Sequence, residues 1–393
     1  MNFNFDNFKA ERTGSEKSKR TQEIEKDYFR IPIDMDNEQI NVIESKYNSF
    51  LVTGPAGSGK TILASAKFKE LERLNENYIF IIYTKALKEF IEGKMLSSGF
   101  HDSNNKIFYA EELKSKDKDT YNFLEIANIN PNYIIVDEAQ DFSLDQIKEL
   151  KSYINSGIFL YGDDIQHLYP KQTNFKNTLP LLTEENIVEK HYDLDTIYRF
   201  SKQIFDFANN IAPFSSVPTF VRPQSRISDS DIPMIIEFNT FHEEMQYIKN
   251  VIETNSWQNV AILMRKGTEV ANVYNWFRDN TNNTGPFERI QYKDHKDNTL
   301  NFSSDLNKLK ILTYHSSKGL EFDRVFIPSC NVYEDEFNIQ YNYRAALYVA
   351  FTRAKYSLIV SYNNECYNDN IRSKKIFKSP YLDEIDTDTY MQR

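Results

Sequence analysis

Short apolar runs alternate with amphipathic stretches along most of this chain. "SFLVTG" (49–54) has strand character, and "TILASAKFKELERL" after it has helical spacing. "YIFIIYT" (78–84) reads as a second strand and "KALKEFIEGKM" as its helix; "NYIIVDEA" and "GIFLYGDD" are two further buried strands. After residue 188 the pattern restarts, with "QIFDFANNIA", "IPMIIEF", "FHEEMQYIKNVIE", "NVAILMR", "LKILTYHS", "RVFIPSC", "YRAALYVAFTRA" and "YSLIVSY". Continuous apolar strands between helices belong to parallel sheets covered on both faces. The pattern predicts an α/β protein with two parallel-sheet domains, 31–187 and 188–370, a polar extension at 1–30 and a polar tail at 371–393. "NTLPLLTEENIVEKHYDL", between the halves, is the expected linker.

Composition narrows the partners. The 393 residues suffice for two cores, and 40% apolar with 26% charged residues is ordinary for a globular chain. A net charge of −10 excludes a general cationic field, so any nucleic-acid contact must come from a local groove, from stacking or from backbone contacts. Two cysteines, Cys330 and Cys366, form no CxxC pair, which argues against zinc and a disulfide framework and for a reduced, cytoplasmic setting. No apolar run approaches the roughly 18 residues of a membrane span. The N-terminus lacks the apolar core of a signal peptide, and its mixed charges read as a solvated extension or as a docking arm.

Two stretches carry chemistry. "GPAGSGKT" (54–61) fits G-x-x-x-x-G-K-[ST] between a strand and a helix. Gly54, Gly57 and Gly59 let the backbone turn its N–H groups inward, so Gly54, Pro55, Ala56, Gly57, Ser58 and Gly59 form a cradle for phosphate oxygens. Lys60 is placed to reach the β- and γ-phosphates, and Thr61 to offer a hydroxyl to Mg²⁺. "VDEAQD" (136–141) ends a buried strand in acids. In a phosphate-loop fold, an acid at such a strand end holds the Mg²⁺ shell, which suits Asp137; Glu138 is then placed to orient or deprotonate the attacking water.

Together these stretches resemble superfamily 1 helicases of the UvrD/Rep/PcrA type, with further motifs in the family's order over about residues 35–365. "NEQINVI" (37–43) is similar to the glutamine motif, in which Gln39 would read the adenine edge. "IYTKALKEF" (82–90) resembles motif Ia, and "GDDIQHLY" (162–169) resembles motif III with Gln166 as the γ-phosphate sensor. "LDTIYRFSKQIFDFA" (194–208) resembles motif IV, in which Tyr198 would stack on adenine and Arg199 would reach the γ-phosphate. "LTYHSSKGLEFDRVFI" (312–327) resembles motif V, with Glu321 on the nucleotide side and His315 on the nucleic-acid side. "ALYVAFTRAK" (346–355) resembles motif VI, with Arg353 as the second arginine. The resemblance implies two RecA-like domains with ATP and Mg²⁺ in the cleft between them and a single nucleic-acid strand, DNA favoured, across both. Tyr83, Thr84, Tyr169 and His315 are the candidate strand contacts, with Phe175 a further stacking candidate.

The chain departs from the family in size. About 40 residues separate motif Ia from motif II, and about 45 separate "VAILMRK" (260–266) from motif V, too few for the family's accessory domains. After "QHLY" the chain runs "PKQTNF" where the family often has a base-stacking segment. Two functional readings follow. One is a 3′–5′ single-stranded DNA translocase or helicase. The other is the ATPase subunit of a larger defence or repair complex that regulates or loads a partner such as a nuclease. A nucleotide switch without turnover fits less well, because Glu138, Gln166 and both arginines are present.

Overall fold

The computed structural model describes residues 35–85, 87–89, 91–92, 106–113, 123–163, 181–182, 184–212, 230–288, 290–292, 308–333, 343–365 and 376–392. The polar extension, Gln166, Tyr169 and Phe175 lie outside these residues.

The first domain opens with helix α1 (Asn37–Ile43), strand β1 (Phe50–Thr53) and helix α2 (Lys60–Arg73). Then come β2 (Tyr78–Ile82), β3 (Ile107–Tyr109), α3 (Leu124–Ile129), β4 (Tyr133–Val136), α4 (Leu144–Ser152), β5 (Gly157–Gly162) and β6 (Lys190–Asp193). Its sheet is parallel, in the order β3-β2-β4-β5-β1-β6. Every residue of β2 and β5 is buried, as a central strand covered on both faces requires. Helix α4 starts where Ser143 and Gln146 cap each other reciprocally.

The second domain follows helix α5 (Lys202–Asn209) with β7 (Met234–Phe238), α6 (Phe241–Asn255), β8 (Val260–Met264), α7 (Gly267–Asn280) and β9 (Gln291–Tyr292). It continues through β10 (Lys310–Thr313), β11 (Phe322–Ile327), β12 (Asn331–Tyr333), α8 (Tyr343–Phe351), β13 (Ala354–Asn363), β14 (Ile376–Lys378) and β15 (Met391–Gln392). The order is β15-β7-β13-β11-β8-β10-β9, again parallel. With β7, β8, β10, β11, β13 and β15 set against β1 to β6, this is the strand order of the first sheet plus one edge strand. Both halves are thus the α/β sheets expected.

Two expected boundaries are corrected. β6 is hydrogen-bonded to β1, and Leu182, Ile187 and Val188 are buried in the first core, so the described part of the linker candidate belongs to the first domain and the 187/188 junction falls inside it. The C-terminal segment is not a loose tail: β14 pairs with β12, and β15 takes beside β7 the place that β6 takes beside β1. The apolar core runs from Phe50 and Phe80 in the first sheet through Ile197, Phe200 and Phe207 to Leu312 in the second sheet and Phe351 on α8. Cys330 is buried and free.

The second sheet has no phosphate loop at the corresponding strand end. Helix α6 follows β7 after a turn capped by Thr240, and the fully buried Glu244 carboxylate accepts from Ser329 N (2.8 Å), Ser329 Oγ (3.0 Å) and Asn363 Nδ2 (2.7 Å), and from Ser361 Oγ. In the first domain a helix hydroxyl meets a strand-end acid; here a helix acid meets strand-end donors. Glu244→Leu leaves those donors buried without an acceptor, so it should destabilise the chain by about 3 kcal/mol. Thermal melting checks this, an unchanged curve being the contrary result.

Candidate active site

The phosphate loop fills the bend between β1 and α2. Gly57 (φ +79°) and Gly59 (φ +92°) are in the left-handed region. A Cβ on Gly57 would lie 2.7 Å from Arg199 Cβ, and one on Gly59 would lie 2.8 Å from Gln39 Nε2. The glycines therefore let the loop pack directly against the glutamine and arginine motifs. Gln39 donates through Nε2 to Ser58 O (2.9 Å), and its Oε1 accepts from Asp36 N (3.4 Å). Tyr198 donates its hydroxyl to Asp36, and its backbone N bonds Gly57 O (2.8 Å). Gln39, Tyr198 and the loop thus form one side of the site.

Lys60 Nζ donates to Gly54 O (2.7 Å) and Pro55 O (2.9 Å), with Asp163 Oδ2 at 3.9 Å. Burial holds its ammonium below the ordinary lysine range, against the pull of Asp163, Glu138 and Asp137. Thr61 Oγ1 donates to Asp137 Oδ2 (2.8 Å). Burial, then the neighbouring Glu138, pushes Asp137 up to about 7. Burial also opposes the charge on Glu138, but Lys318 and Lys60 outweigh it and hold the carboxyl below its usual range. Glu138 is in the left-handed backbone region (φ 59°, ψ 42°), a conformation that for such a residue costs about 1–3 kcal/mol and recurs at functional sites.

The second half of the site arrives from motifs IV to VI. Arg199 Nε donates to Glu321 Oε2 (2.8 Å). Arg353, 1% exposed, donates from Nε to Val349 O (2.9 Å), from one terminal nitrogen to Leu320 O (3.3 Å) and from the other to Thr352 Oγ1 (3.1 Å). Burial, then the Arg199 guanidinium, brings Arg353 down to about 9, still protonated at neutral pH. Glu138 and Glu321 offset part of that. The two arginines and the acid pair are thus within electrostatic reach of one another.

Three residues of this site had no role in the sequence reading. Lys318, fully buried, pairs with Asp141 and stands 3.5 Å from Glu138 Oε2. Burial alone would lower Lys318; Asp141 and Glu138 outweigh it and hold the ammonium above its ordinary range. Gln140 donates to Glu138 Oε2 (2.6 Å) and accepts from Asp163 N (3.0 Å), which ties the acid pair to the end of β5. The available signal was Asp141, an acid left over at the end of a buried strand, and a single lysine in "HSSKGLEF".

The strand contacts fare differently. Tyr83 is 8% exposed and packs on Phe142 and on Lys318, whose Nζ is 5.2 Å from its ring centre; it belongs to the core and not to a surface on which a base could stack. Thr84 is half-buried and donates to Lys318 O (3.4 Å). Burial, then Lys318, pushes His315 down to about 4, so it is neutral at physiological pH and offers a hydrogen bond instead of a charge.

The site residues fit a magnesium–triphosphate. Ser58 Oγ is buried without a hydrogen-bond partner inside the cradle, as a phosphate-facing hydroxyl would be. Thr61 and Asp137 would supply the few protein oxygens that Mg²⁺ takes beside phosphates and water. Among the described residues no group of three or more His, Cys, Asp or Glu forms a metal cage of its own. No described helix is long and apolar enough to cross a membrane.

Residues 38–171 match the family described as AAA domain, and residues 288–365 match the UvrD-like helicase C-terminal domain. The chain is 24% identical over 270 residues to a "Probable DNA helicase" of Mycoplasma pneumoniae, covering 63% of this chain and 46% of that protein. It is 23% identical to the ATP-dependent DNA helicase Rep of Buchnera aphidicola, covering 90% of this chain and 56% of that protein. A 79-residue stretch is 40% identical to the Gabija protein GajB of Bacillus cereus, covering 19% and 15%. The chain spans at most 56% of the length of these relatives.

Proposed function

The chain belongs to the superfamily 1 helicases of the UvrD/Rep type, as a compact form without full accessory insertions, and from that premise we propose that it is an ATP-hydrolysing motor that steps 3′ to 5′ along single-stranded DNA. The observation that carries this reading is the packing of Arg199, itself bonded to Glu321, over Gly57 of the loop that bears Lys60 and Thr61, with Asp137 bonded to Thr61 and the buried Arg353 and Glu138 beside them. Bound ATP with Mg²⁺ supplies the transferable γ-phosphoryl group and the charge on which both domains converge. Lys60 would bind the phosphates, and Thr61 and Asp137, bonded to each other at 2.8 Å, would be the metal's protein ligands. Glu138 orients the attacking water and takes its proton at the carboxylate, while Lys318 and Gln140 fix that carboxylate. Arg199 and Arg353 hold the charge that grows on the phosphoryl oxygens. Gln39 and Tyr198 select the base by its edge and face. Gln166, as sensor, completes the proposed set. Contacts that exist only with the γ-phosphate present give the open and closed cleft different energies, and a strand across both domains moves with that difference.

Duplex opening needs surfaces that the chain has little length to build. Of the described residues in the two short gaps, β3 and β9 are edge strands of the two sheets and α3 and α7 are helices of the same two domains. The expected result is ATPase activity stimulated by single strands, DNA above RNA, with weak displacement of a 3′-tailed duplex at low salt. Processive unwinding of long duplex by the isolated protein would contradict it; equal ATPase rates with and without nucleic acid would remove the motor reading. The second reading is an ATPase subunit that regulates or loads a partner such as a nuclease in a defence or repair assembly; the 79-residue likeness to the Gabija protein GajB supports a setting in a larger system and not the nature of the partner. A cytoplasmic setting belongs to both readings.

A further inference from the structure

We propose that Leu87 of the first domain, seated in the hole left by Gly319 of the second, is the positioning contact that couples strand binding to the hydrolytic carboxylate. The proposal rests on the motor reading above. A Cβ at position 319 would lie 2.5 Å from Leu87 Cδ2 and 3.3 Å from its Cδ1 and Cγ, so there is no slack between the two segments. Gly319 is also in the left-handed region (φ +79°), where a side chain is strained. Leu87 is 1% exposed.

Two further links run beside this one. Leu87 N donates to Thr84 Oγ1 (3.2 Å), which donates to Lys318 O (3.4 Å). The Tyr83 ring stands 5.2 Å from Lys318 Nζ. So residues 83, 84 and 87 grip residues 318 and 319 by a ring, a hydrogen bond and a packed methyl. From that gripped backbone the Lys318 side chain runs into the acid cluster, to Asp141 and to within 3.5 Å of Glu138 Oε2.

The consequence is a short lever. The segment after β2 includes Thr84, a candidate strand contact, and the far end of the lever touches the residue that handles the attacking water. Lys318 itself joins the two ends, its backbone bonded to Thr84 and its ammonium beside Glu138. A shift of the 83–87 segment when a strand binds is therefore passed to Glu138 through a packed, hydrogen-bonded path instead of being absorbed by loose packing. Neither Leu87 nor Gly319 is among the residues assigned above to nucleotide, metal or nucleic acid.

The test uses the full chain, ATP and a single-stranded oligothymidylate. Leu87→Ala introduces slack without disturbing the Gly319 backbone. Its unstimulated kcat and its KM for ATP should stay within about twofold of the parent, and its affinity for a fluorescent oligothymidylate should be kept, while stimulation by the strand falls about tenfold, within the usual range of coupling between sites. Gly319→Ala should also lose stimulation, and adding Leu87→Ala to it should restore part, because the shortened side chain makes room for the methyl. Leu87→Met, which keeps the volume, should keep stimulation and guards against a misfolded alanine variant. Three results would overturn the proposal: full stimulation in Leu87→Ala, equal loss of unstimulated and stimulated rates together with a lowered melting temperature in both Leu87 variants, or loss of oligonucleotide binding in step with stimulation. If the parent itself shows no stimulation by any nucleic acid, the motor reading falls and the coupling falls with it, a result distinct from a stimulated parent with an equally stimulated variant.

Discussion

Glu138→Gln should bind ATP as the unaltered chain does and hydrolyse it about 10²–10⁴ times more slowly, the usual contribution of a positioned general base. The substitution replaces one carboxylate oxygen by an amide nitrogen of nearly the same size, so the hydrogen-bonded frame survives. Thr61 still bonds Asp137 at 2.8 Å, and Lys60 keeps its loop carbonyls. Binding therefore stays. The amide cannot take a proton from water, and it no longer balances Lys318, which is left to Asp141. Isothermal titration with ATP and a single-turnover assay separate the two effects. Hydrolysis near the normal rate would show that another group handles the water; loss of ATP affinity would show that the Glu138 charge helps to hold the nucleotide site together.

Much of this site was legible because its chemistry is local in sequence. Eight consecutive residues make the phosphate loop, and Asp137 and Glu138 follow directly on a strand whose apolar run is unmistakable. The arginines were legible through ordered motifs. Lys318 was not: its carboxylate partner is 177 positions away, and nothing local marks a lysine as fully buried. Tyr83 misled because aromatic type suggested stacking, whereas it directly follows a strand whose every residue is buried and joins that core. β6 and β15 carried no strand signal for a physical reason. They are short edge strands, mostly exposed, held by hydrogen bonds to β1 and β7 and not by an apolar face. Glu244 sits on a helix that reads as an ordinary amphipathic one, and its burial depends on donors supplied by Ser329, Ser361 and Asn363.

Arg199→Ala and Arg353→Ala should each lower kcat by about 10³–10⁵, or roughly 4–7 kcal/mol of barrier, if their guanidinium groups meet the phosphoryl oxygens in the transition state. The two variants should differ in stability, which makes the pair informative. Arg199 pairs through Nε with Glu321, both side chains partly exposed, and alanine keeps the Cβ that packs over Gly57. Its removal should leave the melting temperature almost unchanged, because a partly exposed ion pair contributes about 0–1 kcal/mol. Arg353 is one of the largest fully buried side chains, and its bonds to Val349 O and Leu320 O tie α8 to motif V. Alanine there takes the Arg353 donor from Leu320 O and one of the two side-chain donors from Val349 O, which keeps Thr352 Oγ1, and it leaves a cavity, a loss of about 2–4 kcal/mol. Arg353→Lys keeps a charge but not the fork that reaches three acceptors, so it should recover stability only in part and rate hardly at all. The double alanine variant should be little slower than the slower single one, since both arginines serve the same transition state. Full additivity of the two losses would mean that they act on separate steps, one on chemistry and the other on closing the cleft.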